Sequence, residues 1–150
     1  MKNLLLIALC GAFIAGLGFA GEKRGTAAEA EALVKKAVAS VKANGKEKAF
    51  AEFSNPKGKF VEGDLYIFVY DLEGKCLAHG GNPKMIGKDL IDLKDADGKA
   101  FVRERVEIAK SKGKGWQNYK WNNPVVNKIE DKTAYIEKCD DVIIGSGAYK

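Results

Sequence analysis

The sequence predicts an α+β domain in which helices pack on one antiparallel five-stranded sheet. Apolar residues at helical spacing come first in the chain, between residues 26 and 55. Short runs rich in aromatic and β-branched residues follow from residue 65 onward, separated by turn residues. One helical segment interrupts these runs, so that a two-strand hairpin comes before it and a three-strand meander after it. Strands joined by short turns, with helices grouped outside them, are typical of the α+β class.

A long helix is predicted at the start of this domain. Thr26 and Glu29 have the spacing of a capping box, in which the hydroxyl and the carboxylate each accept a backbone N–H. The apolar residues that follow at helical spacing are Ala30, Leu33, Val34, Ala37, Val38 and Val41. Asn44-Gly45 is a helix stop signal, and a shorter helical piece follows up to Asn55-Pro56.

The predicted strands are residues 65–70, 75–79, 116–121, 132–138 and 142–146. The first two form a hairpin around the turn at residues 71–74. Residues 100–112 form an amphipathic helix between the second and third strands, with Phe101, Val102, Val106 and Ala109 facing inward.

Residues 1–20 are predicted to be a secretory signal peptide. Lys2 supplies a positive start, residues 4–19 carry no charge, and Gly18-Phe19-Ala20 has the small-x-small pattern of a cleavage site. A retained membrane anchor is the alternative, but a bilayer span needs about 20 apolar residues. We therefore expect a cleaved leader and a periplasmic or secreted domain over residues 21–150.

The composition favours a single soluble domain that does not bind nucleic acid. The chain has 25 basic and 20 acidic residues, for a formal net charge of +5, and the basic residues are interleaved with acids. This pattern is typical of a solvated surface, and an export signal also argues against a nucleic-acid partner. No second apolar segment of spanning length follows the leader, which predicts a free-standing domain.

The sequence gives little support to catalysis, to a cofactor or to a metal. His79 is the only histidine, and Gly145-Ser146-Gly147 lacks the spacing of a nucleophile elbow. Asp95, Asp97 and Gly98 resemble part of a calcium loop, but Leu93 stands where the first ligand belongs. We therefore expect a non-enzymatic protein that needs no cofactor and no metal.

An ordered series of motifs resembles the single Cache domain, the PAS-like type found as the periplasmic sensor of chemoreceptors and histidine kinases. The matching stretches include Tyr70-Asp71-Leu72-Glu73-Gly74, Leu77-Ala78-His79, Gly115-Trp116, Tyr119-Lys120-Trp121, Lys132-Thr133-Ala134-Tyr135 and Ile144-Gly145-Ser146-Gly147. Together they extend from Tyr66 to Tyr149, and the preceding helix fits the long N-terminal helix of the family.

The resemblance implies a PAS-like sheet with strand order 2-1-5-4-3 and a pocket on one face, covered by the insertion between strands two and three. It also implies a small organic acid as ligand, such as acetate, propionate or pyruvate. A membrane receptor or kinase is the implied downstream partner, and the N-terminal helix is a candidate contact for a homodimer.

The candidate pocket residues are cationic, aromatic or hydrogen-bond donors, as burying a carboxylate requires. They are Lys132, Tyr135, Tyr119, Trp121, Trp116, His79 and Arg103. We expect Lys132 to bind the anion and the two tyrosine hydroxyls to donate hydrogen bonds to it. The two tryptophans are expected to form the walls of the pocket. His79 is a donor or a pH-sensitive contact, and Arg103 either braces the lid or is solvated. The alternative is a structural or dimerisation protein in which these aromatic residues fill the core and no ligand binds.

Cys76 and Cys139 are predicted to form no intramolecular disulfide. The implied strand order places two strands between them, or about 14 Å at the usual strand spacing. A disulfide needs Cα atoms within about 7 Å. Free thiols and intermolecular pairing are the remaining alternatives.

Overall fold

The computed structural model describes residues 23–150, so the predicted signal peptide lies outside the described residues. The helices are α1 (Ala27–Asn44), α2 (Lys46–Phe53) and α3 (Phe101–Lys112), with a short 3-10 helix at Pro83–Met85. The strands are β1 (Phe68–Asp71), β2 (Cys76–His79), β3 (Lys114–Asn123), β4 (Lys128–Cys139) and β5 (Val142–Tyr149). Within residues 23–150, no helix is long and apolar enough to cross a membrane.

Helix α1 begins and ends where its signals predict. The Thr26 hydroxyl accepts the Glu29 N–H at 3.1 Å, and the Glu29 carboxylate accepts the Thr26 N–H at 2.9 Å. These two bonds satisfy backbone donors that a helix start leaves free. Gly45, at φ +84°, ends the helix in a conformation that favours glycine.

The five strands form one antiparallel sheet in the order β2-β1-β5-β4-β3, as predicted. Strands β3 and β4 are longer than the sequence runs predict, because their continuous ten-residue pairing includes polar residues that no hydrophobic pattern marks. Strand β1 is shorter, because residues 65–67 make only an isolated bridge, between Glu62 and Leu65. The centre of the sheet is β5, in which every residue is buried.

Each face of the sheet has its own apolar core. Helix α1 packs its buried stripe over β4 and β5 on one face, together with Phe53 and Phe60. Helix α3 and the chain that leads into it cover the other face, where Phe68, Tyr70 and Phe101 are buried. We call these the α1 face and the α3 face. Because strand residues alternate between faces, the register decides which core each residue joins.

The first described residues are fixed to the sheet by hydrogen bonds. The Gly25 N–H donates to the buried Asp64 carboxylate at 2.7 Å, and Arg24 donates two bonds to Glu130 at 3.1 and 2.9 Å. The Asn123 amide donates to both carboxylates, at 3.2 Å to Asp64 and 2.8 Å to Glu130. Asp64 and Glu130 therefore hold the N-terminal segment against the sheet, close to where β3 ends and β4 begins.

Cys76 and Cys139 are both buried and unpaired, on β2 and β4. The two intervening strands, β1 and β5, are those that the implied order places there. The strand order on which the prediction of no intramolecular bond rests is therefore present in the structure.

Candidate functional site

A row of polar side chains crosses the α3 face. In the register of β3, β4 and β5, Tyr119 lies opposite Lys132, and Lys132 lies opposite Tyr149. Tyr66 joins the row from the segment that precedes β1. The Lys132 Nζ donates to the Tyr66 hydroxyl at 2.8 Å and to the Tyr149 hydroxyl at 3.4 Å. A lysine is thus held under the α3 layer by two phenols, with only 1% of its surface exposed.

The direction of these hydrogen bonds follows from the Asn122 carbonyl at the end of the row, which can only accept. The Tyr149 hydroxyl donates to the Asn122 carbonyl at 2.8 Å, so its oxygen is the acceptor for Tyr66 at 2.9 Å. The Tyr66 oxygen in turn accepts from Lys132. Every partner of the lysine is therefore a neutral oxygen.

A second buried cation, Arg105, comes from α3. Its guanidinium carbon lies 4.0 Å from the centre of the Phe68 ring and 4.8 Å from that of Tyr70. Its Nε donates to the Gln117 side-chain oxygen at 2.8 Å, whereas Nη2 has no hydrogen-bond partner among the described residues. An unsatisfied buried donor is costly, so this nitrogen is suited to a ligand oxygen.

No carboxylate within residues 23–150 forms an ion pair with Arg105 or Lys132. Burial, and then the positive charge of Arg105, hold the pKa of Lys132 well below its usual range, while Asp64 opposes them weakly. Burial likewise raises the pKa of Tyr66 and of Tyr149, which therefore stay protonated as donors. Within residues 23–150, the site thus combines basic side chains with hydroxyl groups and has no acid paired to either basic group.

His79 lies beside this row as a neutral ring. Its Nδ1 accepts the backbone N–H groups of Asn82 at 2.8 Å and of Gly81 at 3.2 Å, which leaves the ring proton on Nε2. The ring centre is 5.1 Å from that of Tyr66. Burial first, then Lys132 and Arg105, lower the pKa of His79 to about 3. The ring is thus a donor at ordinary pH, and it does not titrate near neutrality.

Two glycines in β5 leave the space that the large side chains occupy. A Cβ on Gly147 would lie 2.7 Å from the Lys132 Cε, and a Cβ on Gly145 would overlap the Phe68 ring. The intervening Ser146 faces α1 instead, as alternation requires. Bare backbone at these two positions lets the lysine and the aromatic ring lie flat on the sheet.

A surface groove of about 220 Å³ leads toward the row, and both Tyr119 and Lys132 contribute to its lining. The turn that begins at Asp95 forms its outer wall. The Asp95 carboxylate accepts the N–H groups of Asp97, Lys99 and Lys120, each at 2.9 Å. Its oxygens are thus engaged by the backbone, as in a structural turn. No group of three metal-binding side chains occurs in the described part of the chain.

A model of the single Cache domain 2 family matches residues 22–150. The chain belongs to the single Cache domain family. The family, the PAS-like fold and the strand order predicted from the motif series are therefore confirmed.

Curated relatives of this Cache domain are receptors and kinases. Methyl-accepting chemotaxis protein McpP of Pseudomonas putida is 39% identical over 88 residues, which cover 57% of this chain and 16% of McpP. Sensor histidine kinase MctS of Rhizobium johnstonii is 34% identical over 88 residues, which cover 57% of this chain and 19% of MctS. The match thus spans less than a fifth of either relative.

Solved Cache sensor domains have the same fold. A methyl-accepting chemotaxis protein from Vibrio parahaemolyticus gives a TM-score of 0.71 at 27% identity, over 81% of this chain and 86% of that one. A second structure is a Cache chemosensory domain, solved to show the structural basis of its carboxylic acid recognition. Its TM-score is 0.63 at 28% identity, over 79% of this chain and 84% of that one. The periplasmic sensor domain of a chemotaxis protein gives a TM-score of 0.64 at 24% identity, over 79% of this chain and 86% of that one.

Four of the seven predicted pocket residues lie together on the α3 face of this Cache domain: Lys132, Tyr119, His79 and Trp121. Tyr119 stacks on Phe101 with ring centres 4.6 Å apart, and Trp121 contacts the same ring at 5.2 Å. Trp121 is only partly buried and also lines a surface groove of about 290 Å³ beside Ile129.

The other three predicted residues lie elsewhere. Tyr135 and Trp116 form a cross-strand pair on the α1 face, with ring centres 5.3 Å apart, because each is an odd number of positions from the pocket residue on its own strand. The Tyr135 hydroxyl donates to Glu137 at 2.9 Å, and Trp116 is 43% exposed. Arg103 is on the outer side of α3, half exposed and paired with Asp92. These three predicted residues therefore do not lie with the other four.

The structure adds Arg105, Tyr66 and Tyr149 to the candidate site. A signal for Arg105 was present in the sequence, since the inward positions 101, 102, 105, 106 and 109 form one continuous helical stripe. Residue 105 belongs to that stripe, whereas Arg103 does not. Tyr149 could have been found from strand alternation with Gly145 and Gly147, but its contact with Tyr66 depends on the sheet register.

Proposed function

We propose that this chain is an exported sensor domain that binds a small organic acid such as acetate, propionate or pyruvate. The observation that carries the proposal is that Arg105 and Lys132 lie buried on one face of the sheet, with no acid paired to either within residues 23–150. An uncompensated buried charge is expensive, and a carboxylate would supply the missing negative charge.

The ligand geometry follows from the free donors. The Arg105 Nη2 and the Lys132 Nζ bind the carboxylate oxygens, with the His79 Nε2–H and the Tyr119 hydroxyl as further donors. Phe68 and Phe101 close the apolar sides. The likeness to a carboxylic-acid-recognising Cache chemosensory domain supports the same ligand class.

The receptor and kinase relatives support a role in signalling, with a membrane receptor or kinase as the downstream partner and the periplasm or the exterior as the location. The chemistry is recognition and not catalysis. A homodimer through α1 would use the helix's outward face, because its apolar stripe is already packed on β4 and β5.

A thermal-shift screen of C1 to C4 carboxylates tests this function. A ligand at one hundred times its Kd stabilises the folded state by about 2.7 kcal/mol, which raises Tm by several degrees. Arg105→Leu and Lys132→Met should each abolish the shift, because each variant removes a donor to the carboxylate.

Arg103→Leu, on the outer side of the same helix, is the matched control and should keep the full shift. The competing function is a dimerisation protein whose α3 face is simply filled, which the stacking of Phe101 on Tyr119 favours. That alternative predicts no thermal shift with any carboxylate.

A further inference from the structure

We propose that the carboxylate enters this site together with a proton, so that the bound unit is the anion plus one proton on the Lys132 Nζ. The inference rests on the proposed function and adds a property of the same site. Ligand-free protein would hold Lys132 as a neutral amine, and ligand-bound protein would hold it as an ammonium.

The contacts of Lys132 do not require a positive charge. Its Nζ is 2.8 Å from the Tyr66 oxygen and 4.1 Å from the centre of that ring, so the hydrogen bond to the phenol oxygen is the shorter contact. The same holds for Tyr149, at 3.4 Å from the oxygen and 4.6 Å from the centre. A neutral amine has N–H groups that can donate to both oxygens, so these hydrogen bonds do not need the ammonium form.

Charge on Lys132 is opposed from two sides. The side chain is 1% exposed, and burial lowers the pKa of a lysine because it disfavours the charged form. Arg105 stands over the same Phe68 ring as Lys132, with centroid distances of 4.0 and 5.7 Å. Two cations this near one ring repel each other through a medium of low polarity.

The surrounding groups leave Lys132 as the proton acceptor. Those that face it are Arg105 from α3, His79 from β2, Tyr119 from β3, Tyr149 from β5, and Tyr66 and Asp64 from the segment before β1. Arg105 is always protonated, and the His79 Nδ1 already accepts two backbone N–H groups. Asp64 is engaged by Gly25 and Asn123. A proton from solvent therefore goes to the Lys132 nitrogen.

Linkage then fixes how affinity depends on pH. The bound carboxylate stabilises the ammonium, so the pKa of Lys132 is higher in the complex than in the free protein. Between these two values each binding event takes up one proton, and Kd rises about tenfold per pH unit. Below that range Lys132 is charged in both states and the affinity levels off.

Calorimetry of the purified protein with acetate, propionate or pyruvate tests the proposal. Titrations at pH 8 in buffers of different ionisation enthalpy give the number of protons taken up per ligand bound. We expect about one proton for the unmodified protein, and a Kd that rises with pH as linkage requires. Lys138→Met, on an exposed position of the same strand, is the matched control and should also take up about one proton per ligand bound.

Lys132→Arg keeps a cation that does not titrate, so its proton uptake should be zero and its Kd independent of pH. If this variant does not bind, the pH dependence of Kd in the unmodified protein decides by itself. Carboxylate binding with no proton uptake, or with a pH-independent Kd between pH 6 and 9, overturns the proposal but leaves the proposed function intact. Failure of all three carboxylates to bind overturns both.

Discussion

At the scale of single residues, His79 shows how an environment selects one role for a side chain. The sequence left two roles open for it, a donor or a pH-sensitive contact. Two backbone N–H groups donate to its Nδ1, and two cations lie on the same face of the sheet. Both effects disfavour the imidazolium, so the donor role is the one that remains at neutral pH.

The neutral state of His79 predicts that acid destabilises the fold. The pKa of His79 is about 3 in the folded protein against 6.5 as the ordinary value, so only the unfolded chain binds this proton between those values. The free energy of unfolding therefore falls as pH drops from about 6.5 toward 3, by up to about 1.4 kcal/mol per pH unit. Denaturant unfolding across this range should show a shallower slope in His79→Gln, whose amide oxygen can accept the same N–H groups. An unchanged slope would contradict the assignment.

At the scale of elements, alternation along the strands decides which residues reach the site. Lys132 and Tyr119 are cross-strand neighbours, and so are Tyr135 and Trp116, but the two pairs face opposite cores. The sequence shows the alternation once the strands are placed. What it does not show is which face carries the ligand, because both faces of this sheet are apolar and buried.

Strand β5 supplies the prediction at this scale. Gly147→Ala places a methyl group 2.7 Å from the Lys132 Cε and 2.8 Å from the Thr133 carbonyl oxygen, and it should push the Lys132 side chain out of position. We expect carboxylate affinity to fall at least about tenfold, which a displacement cost of about 1.4 kcal/mol would produce. Calorimetric titration measures the change. Ser146→Ala, on the same strand but facing α1, is the control and should bind the carboxylate normally. Equal losses of affinity in both variants would mean that β5 supports the fold in general and does not position Lys132 in particular.

At the scale of the whole molecule, the strand order and the helix positions were predictable, since caps, turns and hydrophobic periods are local signals and the motif series identifies the family. The polar network was harder, because Tyr66 and Tyr149 are 83 positions apart and meet only through the register of β1 and β5. Arg105 was accessible from the α3 stripe, yet a charged residue on an amphipathic helix is usually solvated.

A crystal structure of the protein with bound acetate or pyruvate tests the central claim most directly. We predict that the carboxylate lies on the α3 face, with one oxygen within hydrogen-bond distance of the Arg105 Nη2 and the other near the Lys132 Nζ. The Lys132 bond to Tyr66 should lengthen as the ligand takes its place. A ligand in the outer groove beside Trp121 and Ile129, with Arg105 and Lys132 untouched, would contradict this account of the site.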